Sequence, residues 1–133
     1  MSLYLLDTNA MSDLMKNPAG AVARAINDHI QSEIVTSLIV AAELRYGAAR
    51  HASPRLRAAV EALLRLVPVA GLEPPFDSVY GALRASLESS GIVLSPHDLL
   101  IAAQAMTLQA TLVTDDRVFS RVPGLLVENW VRG

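Results

Sequence analysis

Leu3-Tyr4-Leu5-Leu6-Asp7-Thr8-Asn9 stands almost at the amino terminus: four apolar residues that break off into three polar ones. An apolar run this short, bounded by turn formers, predicts a strand buried on both faces, as in the middle of a parallel sheet. In open α/β sheets the crevice beyond the carboxyl ends of the strands is where ligands bind. Asp7 would stand at the mouth of that crevice. The residue also has a purely structural reading, because Asp, Thr and Asn are all favoured caps for a helix starting near Ala10. This stretch by itself supports both.

The residues that follow repeat the alternation of short apolar runs and amphipathic segments. Residues 10–16 form a short helix stopped by Asn17-Pro18, and 19–30 a second, with Val22, Ala23, Ile26 and Ile30 on one side. Ile34-Val35-Thr36 is a strand, and Ser37 is placed to cap a helix over 38–50. Pro54 suits the start of a helix running to 66, while Arg50, Arg55 and Arg57 read as a solvated face. Pro68 allows residues 67–69 to be an edge strand at best. Residues 76–90 form a helix ended by Gly91, with Asp77 in its first turn where a negative charge suits the dipole. Ser95-Pro96-His97-Asp98 opens another helix, with Ser95 as cap and Asp98 where a capping box expects an acid. His97 points elsewhere and reads as a surface or supporting residue. Thr111-Leu112-Val113-Thr114 is a strand ending in Asp115 and Asp116, followed by a short helix to Arg121, a turn at Pro123-Gly124 and a last strand over 125–127. Strands alternating with helices predict an α/β fold with a mostly parallel sheet of four or five strands, residues 67–69 being the doubtful one.

Composition narrows the chemistry. A chain of 133 residues is expected to be one domain, spanning 1–133, with a substantial core. Hydrophobic residues make up 52% of it, yet no apolar run reaches the roughly eighteen residues of a membrane span. Asp7 interrupts the first apolar segment too early for a signal peptide, so the expected location is the cytoplasm. There is no cysteine, which excludes thiol catalysis, disulfides and thiolate-bound zinc. A net charge of −2 argues against broad electrostatic wrapping of nucleic acid, but not against an enzyme that grips phosphates through a metal and a few arginines.

Four acids then form a pattern. Asp7 and Asp116 follow strands and belong at the carboxyl edge of the sheet. Glu43 lies four residues after Ile39 and three after Val40, so it shares an inward stripe of its helix. A carboxylate there must be paired, bound to metal or at a shallow boundary. Asp98 precedes Ile101, Ala102 and Ala105 at helical spacing on a packed side. Four carboxylates brought to one place repel unless a cation neutralises them. With no cysteine and no suitably spaced histidines, oxygen donors suit Mg²⁺ or Mn²⁺. Metal-assisted attack of water on a phosphodiester is a leading chemistry for such a site.

These residues resemble the PIN-domain ribonucleases, and more narrowly the VapC toxins of bacterial toxin–antitoxin pairs. The resemblance runs over essentially the whole chain. It is carried by Leu5-Leu6-Asp7-Thr8-Asn9, by Ala42-Glu43-Leu44-Arg45-Tyr46-Gly47, by Leu94 to Asp98 with Leu100-Ile101-Ala102-Ala103, and by Leu112 to Asp116 with Phe119. It implies a three-layer α/β/α fold and a metal-dependent ribonuclease toxin that inhibits translation. Asp7, Glu43 and Asp98 are implied as catalytic, metal-binding acids, with Asp116 at the fourth, more variable position and Asp115 a neighbour competing for it. Asn9 and Thr114 match polar positions that support the acids. The resemblance further implies a homodimer, a VapB-type antitoxin whose tail covers the site, and contact with operator DNA only through that antitoxin.

Two rival readings are weaker. A phosphatase or receiver-type domain wants a further acid near the first strand and a lysine after a later one. Here Asn9 stands two residues after Asp7, and Lys16 is the only lysine. A non-catalytic binding or dimerisation module with the same fold would have no need to keep all four acids.

Overall fold

The computed structural model describes residues 2–132. In chain order the elements are β1 (Leu3–Leu6), α1 (Thr8–Lys16), α2 (Ala21–Asp28), β2 (Glu33–Ser37), α3 (Leu38–His51), α4 (Pro54–Leu66), β3 (Val69–Ala70), α5 (Phe76–Ser89), α6 (Pro96–Leu108), β4 (Thr111–Val113), a 3₁₀ turn (Arg117–Arg121) and β5 (Val127–Glu128). The strands form one sheet in the order β3-β2-β1-β4-β5, every neighbouring pair parallel. Helices cover both faces, which makes a three-layer α/β/α architecture.

The opening apolar run now has its reason. β1 is the central strand, and Leu5 and Leu6 are fully buried between helices on either face, as are Leu112 and Val113 of β4 beside them. The registers Leu6↔Thr36 and Leu6↔Val113 align the ends of three strands. Whatever follows β1, β2 and β4 therefore emerges at one edge.

Several boundaries differ from those expected from sequence. The first helix begins at Thr8 rather than near Ala10, because Asp7 itself is the cap. The segment expected as 19–30 is helical only over Ala21–Asp28, with Gly20 as its cap. The doubtful strand is displaced to Val69–Ala70. Pro68 stands just before it and offers its carbonyl to the Thr36 N–H at 2.9 Å, so the missing Pro N–H is never needed. The helix expected to run to Arg121 is a 3₁₀ turn, and the last strand is Val127–Glu128. Gln104 on α6, only 1% exposed, donates to the Ala70 and Gly71 carbonyls at 2.9 and 3.1 Å. It ties the loop after β3 to the helix that carries Asp98. Among the described residues no helix is long and apolar enough to cross a membrane.

Candidate active site

Asp7 sits where β1 hands over to α1. Its backbone is extended while Thr8 is already helical, and its Oδ1 accepts from the Thr8 N–H at 2.8 Å. The capping reading is therefore correct. The other oxygen does different work: Oδ2 accepts from the Thr114 hydroxyl at 2.8 Å and, more loosely, from the Asn9 amide at 3.4 Å. Asn9 also donates to Thr114 Oγ1 at 3.1 Å and accepts the Asp115 N–H at 2.9 Å, and the Asp116 N–H reaches Thr114 Oγ1 at 3.1 Å. This network stitches the end of β1 to the end of β4. It leaves Asp7 a single orientation, 5% exposed.

Asp7 opens onto a depression of about 370 Å³ at the carboxyl edge of the sheet. Glu43, Asp98 and Asp116 line the same depression, together with Thr8, Asn9, Ser95, His97 and Ile101. The fold thus brings the four acids singled out in the sequence to one place. Asp115 does not line it: its carboxylate lies 3.9 Å from Arg132 Nε, while Asp116 caps the 3₁₀ turn through the Val118 N–H at 3.1 Å. A second cavity of about 310 Å³, between α5 and the start of α6, is walled by groups such as Leu87, Ile92 and Leu99 and gathers no such cluster.

Each remaining acid has a distinct setting. Ser95 Oγ accepts the Asp98 N–H at 3.2 Å, so the cap of α6 forms. Among the described residues the Asp98 carboxylate accepts no hydrogen bond in return. The expected capping box is only half made, and that carboxylate faces the depression. Glu43 is a boundary residue rather than a buried one, its side chain 37% exposed. Its Oε1 lies 3.2 Å from His97 Nε2. This corrects the expectation that His97 points elsewhere. Two residues into α6, it turns to the depression and meets the acid on α3. Sequence could not show this, because the contact depends on how α3 and α6 pack.

Burial pushes the Asp7 carboxyl above its ordinary value, and the charges of Asp98 and Asp116 push the same way. The Thr8 N–H and Thr114 hydroxyl pull it down, each less than burial raises it, and the net shift is upward. A positive ion in the depression would reverse both unfavourable contributions, and the donors on offer are carboxylate oxygens, which suits Mg²⁺ or Mn²⁺. As placed, no three acids or histidines among the described residues converge on one point. Asp7 is fixed, whereas Asp98 accepts no hydrogen bond among the described residues, and Glu43 and Asp116 each engage one oxygen, near His97 and at the Val118 N–H, and keep the other open. Closure of those carboxylates on Asp7 is what a cation site here would require.

The fold and the acid-lined edge together define a class, and comparison with known proteins gives the same one. The chain belongs to the PIN-domain family, whose model matches residues 4–125. Within it, the chain is similar to Ribonuclease VapC2 of Rickettsia felis, at 32% identity covering 96% of this chain and 98% of that one. It is similar also to the tRNA(fMet)-specific endonuclease VapC of Salmonella typhimurium, at 31% identity over 98% and 99%. Among solved structures it matches the DNA-bound VapBC from Salmonella typhimurium with a TM-score of 0.89 at 30% identity, covering 98% of this chain and 99% of that one. VapBC2 from Rickettsia felis, bound to a DNA fragment from their promoter, matches with a TM-score of 0.87 at 30% identity, covering 96% and 98%.

Proposed function

We propose that this chain is a metal-dependent endoribonuclease of the VapC type, a toxin that stops translation by cutting RNA and is held in check by a VapB-type antitoxin. The observation that carries the reading is Asp7: a buried carboxylate, locked by three neighbours, facing three more acids across an open depression. Asp7, Glu43, Asp98 and Asp116 would hold Mg²⁺ or Mn²⁺. When bound, the cation lowers the pKa of a water and offsets charge on the phosphodiester. The rest of the work falls to the chain. Thr8, Thr114 and Asn9 fix Asp7, so that no reorganisation is needed at the moment of reaction. Ser95 anchors the backbone at Asp98 and leaves its carboxylate free. Thr114 holds the Asp116 N–H and so sets the start of that loop.

The similar proteins are named as ribonucleases, one of them specific for tRNA(fMet), and two of the matching structures are VapBC assemblies on DNA. These support a structured RNA as substrate and an antitoxin as partner, with operator DNA touched through that partner. Apolar side chains left at the surface, Ile30 after α2 and Leu66 at the end of α4 among them, support a homodimer and a groove for the antitoxin. The test is cleavage of a tRNA pool by purified protein with Mg²⁺, with EDTA, and with Asp7→Asn. Cleavage that needs both the metal and Asp7 supports the reading, and cleavage indifferent to both overturns it.

A further inference from the structure

Glu43 differs from the other acids of the depression. Asp98 and Asp116 add their charges to the burial that raises the Asp7 pKa. Glu43 stands on α3, and one of its oxygens already has a neighbour in His97. We infer that His97 is a positioning residue: its Nε2–H holds Glu43 Oε1 and presents the other oxygen, Oε2, to the cation. The inference rests on the metal site proposed above.

Three features support it. The 3.2 Å separation brings the two groups into polar contact, and the exposed imidazole is free to turn its N–H onto the oxygen. A neutral ring with its proton on Nε2 suffices to donate, so no change of protonation is required. The contact also bridges the two helices that carry Glu43 and Asp98, so it sets the span across which a cation must be shared. A long side chain such as Glu43, 37% exposed and otherwise free to rotate, gains most from such a tether. Partners of this kind behind a metal-binding carboxylate are worth about 10- to 100-fold in metal affinity. Because the His97 side chain is 63% exposed, the low end of that range applies, about tenfold.

The test is Mn²⁺ binding to the RNA-free protein by calorimetry, beside melting curves in EDTA. His97→Ala should weaken Mn²⁺ binding about tenfold while leaving the metal-free melting temperature unchanged. His97→Gln, whose amide nitrogen occupies much the same place as Nε2, should return affinity to within about twofold of wild type. Wild-type affinity in His97→Ala, beside a clear loss in Asp98→Asn, would overturn this inference alone. Equal losses in His97→Ala and His97→Gln, or a matching loss of metal-free stability, would overturn it too. If wild type binds no Mn²⁺, the proposed function fails and this inference fails with it.

Discussion

Two neighbouring junctions at the same sheet edge solve the same structural problem differently. β1 passes into α1 through Asp7, and β2 passes into α3 through Ser37, one place beyond the paired residues Leu6 and Thr36. Both caps are extended, both are buried, and each accepts a backbone N–H in the first turn, at 2.8 Å for Asp7 and 3.0 Å for Ser37. A neutral hydroxyl is thus enough to start a helix from this edge. The negative charge of Asp7 is surplus to capping, and it is costly, since burial and two neighbouring acids oppose it. That surplus is what the proposed chemistry would use at Asp7, and Ser37 has no counterpart to it.

The largest effect should come from breaking this contrast at Asp7. Asp7→Asn keeps an oxygen for the Thr8 N–H, so the fold should survive by circular dichroism. RNA cleavage should fall about a thousandfold or more, because metal placement and charge stabilisation are lost together. Retention of the wild-type rate would make Asp7 a cap like Ser37.

A smaller effect separates Asp115 from Asp116. Asp116 lines the depression and Asp115 turns toward Arg132. Asp116→Asn should lower the cleavage rate about a hundredfold, the low end of what removal of one electrostatic group costs. Asp115→Asn should stay within about threefold of wild type, in the manner of a surface change. The reverse order would move the site to Asp115.

At Ser37 the expected change is in stability alone. Ser37→Ala removes a cap worth about 1 kcal/mol, a fall of about 4 °C in melting temperature for a chain of this size. Cleavage per folded molecule should be unchanged.

The mildest effect is a pH dependence in metal-free buffer. Asp7 holds its proton in the fold to a higher pH than in the unfolded chain, whose ordinary value is 3.8. The stability it contributes is complete below that value and is lost as pH rises through the raised folded pKa. The unfolding free energy of wild type, minus that of Asp7→Asn, should therefore decline over that window and then level off. A difference that grows with pH would mean the carboxylate is stabilised, not strained.

The particular residues show what was legible in the sequence. Leu3 to Leu6 announced a central strand because burial on both faces leaves a continuous apolar run, and an α/β fold with a mostly parallel sheet followed from the alternation around it, whereas the three layers were implied by the family resemblance. Ser37, Ser95 and Pro96 marked helix starts through local chemistry that needs no tertiary contact. Boundaries such as β3 and β5 were shifted, because two-residue strands are defined by their neighbours' hydrogen bonds and not by their own composition. Asp7 had two readings in the sequence, and the structure makes it a cap through one oxygen and a wall of the depression through the other. The Asn9–Thr114–Asp7 network joins residues more than a hundred positions apart, and only the pairing of β1 with β4 brings them together. His97 is the surface, supporting residue expected, but the direction assigned to it was wrong for a related reason. Its direction follows from the packing of α3 against α6, which periodicity on one helix does not reveal. Gln104 left no signal at all: a polar residue in an apolar helix can face solvent or a buried loop, and the sequence does not distinguish them.

The most direct test of the account is whether a divalent cation turns the surplus charge of Asp7 from a cost into a gain. Melting curves of wild type and Asp7→Asn would be recorded in EDTA and in Mg²⁺ or Mn²⁺. At about a hundred times the dissociation constant, binding should stabilise wild type by about 2.7 kcal/mol. Asp7→Asn should show little or none of that gain. Equal curves with and without the metal for wild type, or equal gains for wild type and Asp7→Asn, would contradict the claim that Asp7 serves a metal site.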